Sequence, residues 1–143
     1  TVQNRYSLLH REPESEVFDV CRERAVRFLP FFPLESGLLT GKVAANGPRP
    51  GTRLAEWPED RLKLFLTERN LATVERLTQW LRNRDRSLLD LAFCWLLSKP
   101  EIPSVIAGAT SAKQVLENSQ ASGWRLTSSE LDEVADLVST PSD

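Results

Sequence analysis

Two short runs constrain this chain more than anything else in it. Phe28–Phe32 opens onto Pro33-Leu34-Glu35-Ser36-Gly37 and runs on to Lys42, while Ser104–Ala107 opens onto Gly108-Ala109-Thr110-Ser111 ahead of a helical pattern. Runs this short that stop at turn residues read as buried strands, and the turns lie at their carboxyl ends. In barrels and sheets of parallel strands, ligands collect at that edge.

The intervening segments supply the helices. Thr1–Tyr6 reads as a strand, and Glu12–Ala25 as an amphipathic helix with Val17, Val20, Cys21 and Ala25 near one face and Pro13 among acidic residues in the first turn. A long loop, Gly41–Pro58, carries the run Asn46-Gly-Pro-Arg-Pro-Gly51. Leu62, Phe65 and Leu66 suit one short helix, and Leu71, Val74, Leu77 and Leu81 suit another. Beyond the solvated link Arg82–Arg86, Ser87 with Asp90 caps a helix over Leu88–Leu97 that is apolar nearly all round. Ser111 with Gln114 and Thr127 with Glu130 cap two more, at Ala112–Ser122 and Ser128–Leu137.

Strands alternating with helices predict an α/β fold of parallel strands covered by helices. Three strands cannot close a (β/α)8 TIM barrel, which needs roughly 200–250 residues. The expectation is a partial barrel: about the last three β/α units plus a C-terminal helix, with residues 1–143 forming one incomplete domain. The chain contains no methionine, and its first residues already look like a strand, so it is expected to begin in the middle of a domain.

Composition excludes several classes. With 18 basic and 20 acidic residues the formal charge is −2, so no nucleic-acid partner is expected. No run approaches the ~18 apolar residues of a membrane span, and a cytoplasmic location with no membrane partner is expected. Cys21 and Cys94 lie in apolar helical patterns and read as buried free thiols in a reducing compartment. One histidine and two separated cysteines build no metal site.

Few motifs carry chemistry alone. Gly37-Leu-Leu-Thr-Gly41-Lys42 has three residues between its glycines and Val43 after the lysine, so it is not a P-loop, and no G-x-G-x-x-G occurs. Gly108–Ser111 before a capped helix has two readings: plain capping, or a phosphate cradle of backbone N–H groups aided by Lys113. His10 reads as a solvated loop histidine and Tyr6 as either a packing or a site residue. Trp57 is the tryptophan most free to meet a ligand.

Taken in order, Gln3-Asn-Arg-Tyr-Ser-Leu-Leu, FFPLESGLLTGK, Gly51-Thr-Arg-Leu-Ala, Ala92-Phe-Cys-Trp-Leu-Leu and VIAGATSAKQVLEN resemble the C-terminal half of an aldo-keto reductase, a (β/α)8 NADP(H) enzyme. The resemblance implies that Gln3 bonds the nicotinamide carboxamide and that Phe31 stacks on the ring. It implies that Pro33, Leu34, Ser36, Gly37 and Leu39 wrap the pyrophosphate, largely through backbone groups. Gly108, Ala109, Thr110 and Ser111, with Lys113 and Gln114, would receive the adenosine ribose and its 2′-phosphate, and Glu117 and Asn118 the adenine. The family's catalytic Asp, Tyr, Lys and His come from the first half of the barrel and match no position here. The resemblance thus implies a cofactor-binding portion, inactive alone, of an enzyme transferring a hydride between NADPH and an aldehyde or ketone. Half a barrel would also expose open sheet edges and an apolar inner face, so self-association is expected. The alternative from another class is a non-catalytic helical interaction module, with Leu88–Leu97 as an oligomer interface.

Overall fold

A computed structural model describes residues 1–44 and 47–139; Ala45, Asn46 and residues 140–143 lie outside it, so Asn46 of the Pro-Gly loop is not placed. Strand β1 (Val2–Arg5) pairs in parallel with β2 (Phe28–Phe31), Gln3 opposite Leu29 and Arg5 opposite Phe31. A short antiparallel pair, β3 (Val43–Ala44) with β4 (Gly47–Pro48), forms in the long loop. Among the described residues six α-helices follow the chain: α1 (Val17–Arg24), α2 (Glu59–Lys63), α3 (Glu68–Leu81), α4 (Leu88–Leu97), α5 (Ala112–Ala121) and α6 (Ser128–Ser139). The fold is α/β with a small open sheet.

Side chains alternate across the sheet. Tyr6, just past β1, and Phe28 point to the helical side and are fully buried. Tyr6 meets Phe18 edge-on with ring centroids 5.0 Å apart, meets Phe28 at 5.6 Å and stacks on Trp95 of α4 at 5.3 Å. This aromatic knot is continuous with Leu77, Leu91, Leu96 and Val134 from α3, α4 and α6.

Local capping delivers the helices as the sequence implies. Ser87 accepts from the Asp90 N–H while the Asp90 carboxylate accepts from the Ser87 N–H, closing a reciprocal box at the start of α4. Thr127 and Glu130 do the same before α6. Helix α4 buries Leu88 and Leu91–Leu96 within its own chain, so its all-round apolar character is spent on the core.

Two expectations fail for identifiable reasons. Glu12–Ala25 is not one helix: a 3-10 turn at Glu12–Glu14 precedes α1, and Glu16 breaks the spiral at φ −135°. Glu14 is held beneath the sheet by the Tyr6 hydroxyl at 2.5 Å and by Arg11 at 2.9 and 2.8 Å. The phase of α1 shifts accordingly, so Phe18 and Cys21 face the core and Val20 is 55% exposed.

Ser104–Ala107 runs beside β2 in the same direction but is not a strand. The Phe28 N–H bonds the Glu101 carbonyl at 2.9 Å, and the Ile106 N–H bonds the Pro30 carbonyl at 3.0 Å. Continuing that ladder needs a donor at residue 30, aimed at Ser104. Proline has none, and Pro103 likewise lacks the N–H that would reach the Phe28 carbonyl, so the third strand stops at isolated bonds.

Candidate functional site

The turn after β2 is the most constrained stretch of backbone described. Phe32, Glu35 and Ser36 take left-handed φ values of 55°, 46° and 58°, and Gly37 sits at 110°. A left-handed conformation costs a non-glycine residue roughly 1–2 kcal/mol, so three in five positions persist only because tertiary contacts over-determine them. Some are local: Gly37 and Leu39 N–H groups both donate to the Leu34 carbonyl, at 2.9 and 3.1 Å, and Leu38 and Leu39 are fully buried anchors.

The decisive contact is distant in sequence. Glu35 is 1% exposed; its carboxylate accepts from Arg5 Nε at 3.3 Å, from Arg5 Nη2, and from Ser7 Oγ at 2.7 Å. Arg5 also lies over the Phe65 ring at 4.9 Å. Sequence reasoning misses both Glu35 and Arg5. Two signals point to them: Arg5 shares a strand face with Gln3 by period-two alternation, and Glu35 is the only charged residue between Arg27 and Lys42.

Gln3, exposed, and Phe31, half-buried, share one sheet face by alternation, and both line an open hollow of ≈ 320 Å³ that reaches round to Asn4, His10, Glu12 and Val17 at the start of α1. That face also carries Arg5 and Leu29, so it is mixed rather than apolar as expected. The hollow does not include the Pro33–Leu39 turn or the Gly108–Asn118 segment. Both of those leave the same end of neighbouring parallel runs, as the bonds from Phe28 to Glu101 and from Ile106 to Pro30 require.

Within the turn, Pro33 is buried and Leu34, Ser36 and Gly37 are half-buried. Ser36 Oγ is buried and has no hydrogen-bond partner among the described residues. An orphaned hydroxyl in a native fold calls for an explanation, and an absent ligand is one. Gly37 leaves open space where a side chain would stand.

The second segment is open to solvent. Gly108, Ala109, Thr110, Ser111 and Lys113 are exposed, while Gln114, Glu117 and Asn118 are half-buried. Ser111 Oγ accepts from the Gln114 N–H at 3.3 Å, and Gln114 Oε1 accepts from the Thr110 N–H at 2.7 Å. Capping and side-chain bonding therefore already engage part of the cradle. The N–H groups of Ala112 and Lys113, in the first turn of α5, have no helical carbonyl to meet. Lys113 Nζ lies 3.7 Å from Glu117 on the surface.

Other candidates resolve into packing. Tyr6 is wholly buried, and burial, then its bond to Glu14, push its hydroxyl far above the usual phenol range. Trp57 is half-buried between the Arg61 guanidinium at 3.9 Å and the Phe65 ring at 5.2 Å. Cys21 and Cys94 are buried free thiols, and burial raises the Cys94 thiol. Among the described residues no group of three His, Cys, Asp or Glu side chains is placed to hold a metal, and no helix is long and apolar enough to cross a membrane.

Comparison with known proteins gives one consistent family. The model of the aldo/keto reductase family matches residues 1–139. The chain is 32% identical over 121 residues to the NADH-specific methylglyoxal reductase of Escherichia coli (strain K12), covering 82% of this chain and 35% of that protein. It is 34% identical over 122 residues to the L-glyceraldehyde 3-phosphate reductase of the same strain, covering 83% and 35%. A probable voltage-gated potassium channel subunit beta of Oryza sativa subsp. japonica is 33% identical over 121 residues, covering 83% and 37%. The chain thus spans about a third of the length of these relatives.

Proposed function

The chain belongs to the aldo/keto reductase family, and on that premise we propose that residues 1–143 are the C-terminal, cofactor-binding portion of an NADP(H)-dependent reductase. In this reading they form the last three β/α units of a (β/α)8 barrel and one incomplete domain. The complete enzyme transfers a hydride between NADPH and a small aldehyde or ketone in the cytoplasm.

One observation carries the reading. Two glycine-bearing turns leave the same end of adjacent parallel runs, and the first holds the buried hydroxyl of Ser36 without a partner among the described residues. When bound, the nicotinamide supplies the hydride. Gln3 would bond its carboxamide, and Phe31 would offer a flat aromatic face to the ring. Pro33, Leu34, Ser36, Gly37 and Leu39 would wrap the pyrophosphate. Gly108, Ala109, Thr110, Ser111 and Gln114 would take the ribose end, and Glu117 and Asn118 the adenine. Lys113 would leave Glu117 for the 2′-phosphate, favouring NADP(H). This preference sets the chain apart from the Escherichia coli relative whose name specifies NADH.

Titration with NADPH, followed by tryptophan fluorescence, tests the cradle. Lys113→Ala should weaken NADPH binding about tenfold, the scale of one lost charge-assisted bond, and leave NADH binding nearly unchanged. Equal losses for both cofactors would overturn the 2′-phosphate role, and no quenching at millimolar NADPH would overturn the cradle. The chain alone is expected not to reduce a generic aldehyde, since no proton donor of the family's type is matched in it. Turnover above a Gln3→Ala, Phe31→Ala control would refute that.

A second reading, a partner-binding module, is favoured only by the similarity to the channel beta subunit. The feature that suggested it, the apolar α4, is consumed by the chain's own core.

A further inference from the structure

We propose that Glu35 is a positioning residue for the dinucleotide: a buried carboxylate that locks the turn after β2 to the strand carrying Gln3. The inference rests on the cofactor reading above. Its grounds are the geometry of a single network. Arg5 stands two residues from Gln3 on the same strand face, and its guanidinium grips Glu35 through Nε at 3.3 Å and through Nη2. Ser7 adds a third bond at 2.7 Å, and the same hydroxyl accepts N–H groups of Leu9 and His10 at 3.2 and 3.1 Å. One carboxylate therefore joins β1, the loop that brings His10 to the hollow, and the turn bearing Ser36.

The backbone explains why such a lock is needed. Glu35 and Ser36 hold left-handed φ values that side chains resist, and released from restraint the turn would relax toward ordinary conformations. Relaxation would re-aim Ser36 Oγ, the hydroxyl offered to the pyrophosphate. Glu35 itself points inward, accepts three bonds and has no role in touching a ligand. Its effect is transmitted through the turn.

The test is Glu35→Gln in the full 143-residue chain, read by NADPH titration and amide hydrogen exchange. Losing the charged acceptor should weaken NADPH binding about tenfold. The Gly37 and Leu39 amides, both bonded to Leu34, should exchange faster, with the α4 amides unchanged; a general loss of stability would speed both sets. If the unsubstituted chain binds NADPH and Lys113→Ala weakens it, while Glu35→Gln binds and exchanges normally, the lock is overturned and the cofactor reading stands. Absence of binding by the unsubstituted chain removes both. Should Glu35→Gln unfold, Ser7→Ala decides, because it deletes the 2.7 Å bond to Glu35, together with the bonds from Leu9 and His10, while the Arg5 grip on the carboxylate stays. Roughly threefold weaker binding with faster Gly37 exchange supports the lock, and wild-type behaviour in both overturns it.

Discussion

The two faces of the β1–β2 pair are built from the same short strands and behave as different materials. On the helical side Phe28, with Tyr6 just beyond the strand, joins Phe18 and Trp95 in an aromatic cluster excluded from water. On the other side Gln3, Arg5, Leu29 and Phe31 stand half-buried or exposed, with Arg5 tied to Glu35 and Phe31 against Phe32 at 5.6 Å. Period-two alternation lets a strand serve both ends at once. Burial on one side stabilises the pair enough that the other can keep polar groups.

The largest break in that contrast would come from Trp95. Trp95→Ala removes a fully buried indole from between Tyr6 and the cations of Arg11 and Lys99, and about 3–5 kcal/mol of stability should go with it. Gln3→Ala, on the open face, should change stability by no more than about 0.5 kcal/mol. Urea unfolding of the two variants measures the difference. Comparable losses would mean that the open face is structural after all.

A sharper probe lies where the aromatic cluster meets charge. Burial raises the Glu14 carboxyl, but hydrogen bonds from Arg11 and then Tyr6 outweigh it and hold that group below the usual carboxylate range. A depressed carboxylate contributes stability that is present above its unfolded value, near about 4.3, and lost as pH falls through the folded one. Tyr6 has the opposite sign. Its raised hydroxyl contributes fully below about pH 10, and stability falls as pH rises past that value, because only the unfolded chain can ionise there. Tyr6→Phe should cost about 1–3 kcal/mol at neutral pH, flatten the alkaline fall and leave the acid limb largely in place through Arg11. Retention of the full alkaline fall in Tyr6→Phe would show that another group produces it.

What the sequence disclosed and what it hid divide along the reach of the interactions. Ser87 with Asp90 and Thr127 with Glu130 are close neighbours along the chain, and the boxes form as written. The apolar rhythm of Leu71, Val74, Leu77 and Leu81 likewise survives as the inner face of α3. The break before α1 was hidden because Glu14 answers to Tyr6, eight residues upstream. Glu35 was hidden for the same reason on a longer scale: nothing local says that a turn glutamate will be buried beneath Arg5 and Ser7. For the site, the two turns were legible as turns. Their shared end follows from backbone bonds to Glu101 and Pro30 that no local pattern reports.

The smallest effect concerns the edge of the sheet itself, where β2 is paired fully on one side and only in fragments on the other. If the missing donor at Pro30 is what stops Ser104–Ala107 from becoming a strand, Pro30→Ala should supply an N–H aimed at the Ser104 carbonyl. The net stability change should stay under about 1 kcal/mol, because a gained bond is offset by the greater freedom of the unfolded chain. Amide exchange separates what stability cannot. If the new amide at position 30 is protected and Ile106 exchanges more slowly, the missing donor at Pro30 limits the width of this sheet. Free exchange of the new amide would place the cause in the left-handed turn at Phe32, which carries the chain away one residue beyond β2.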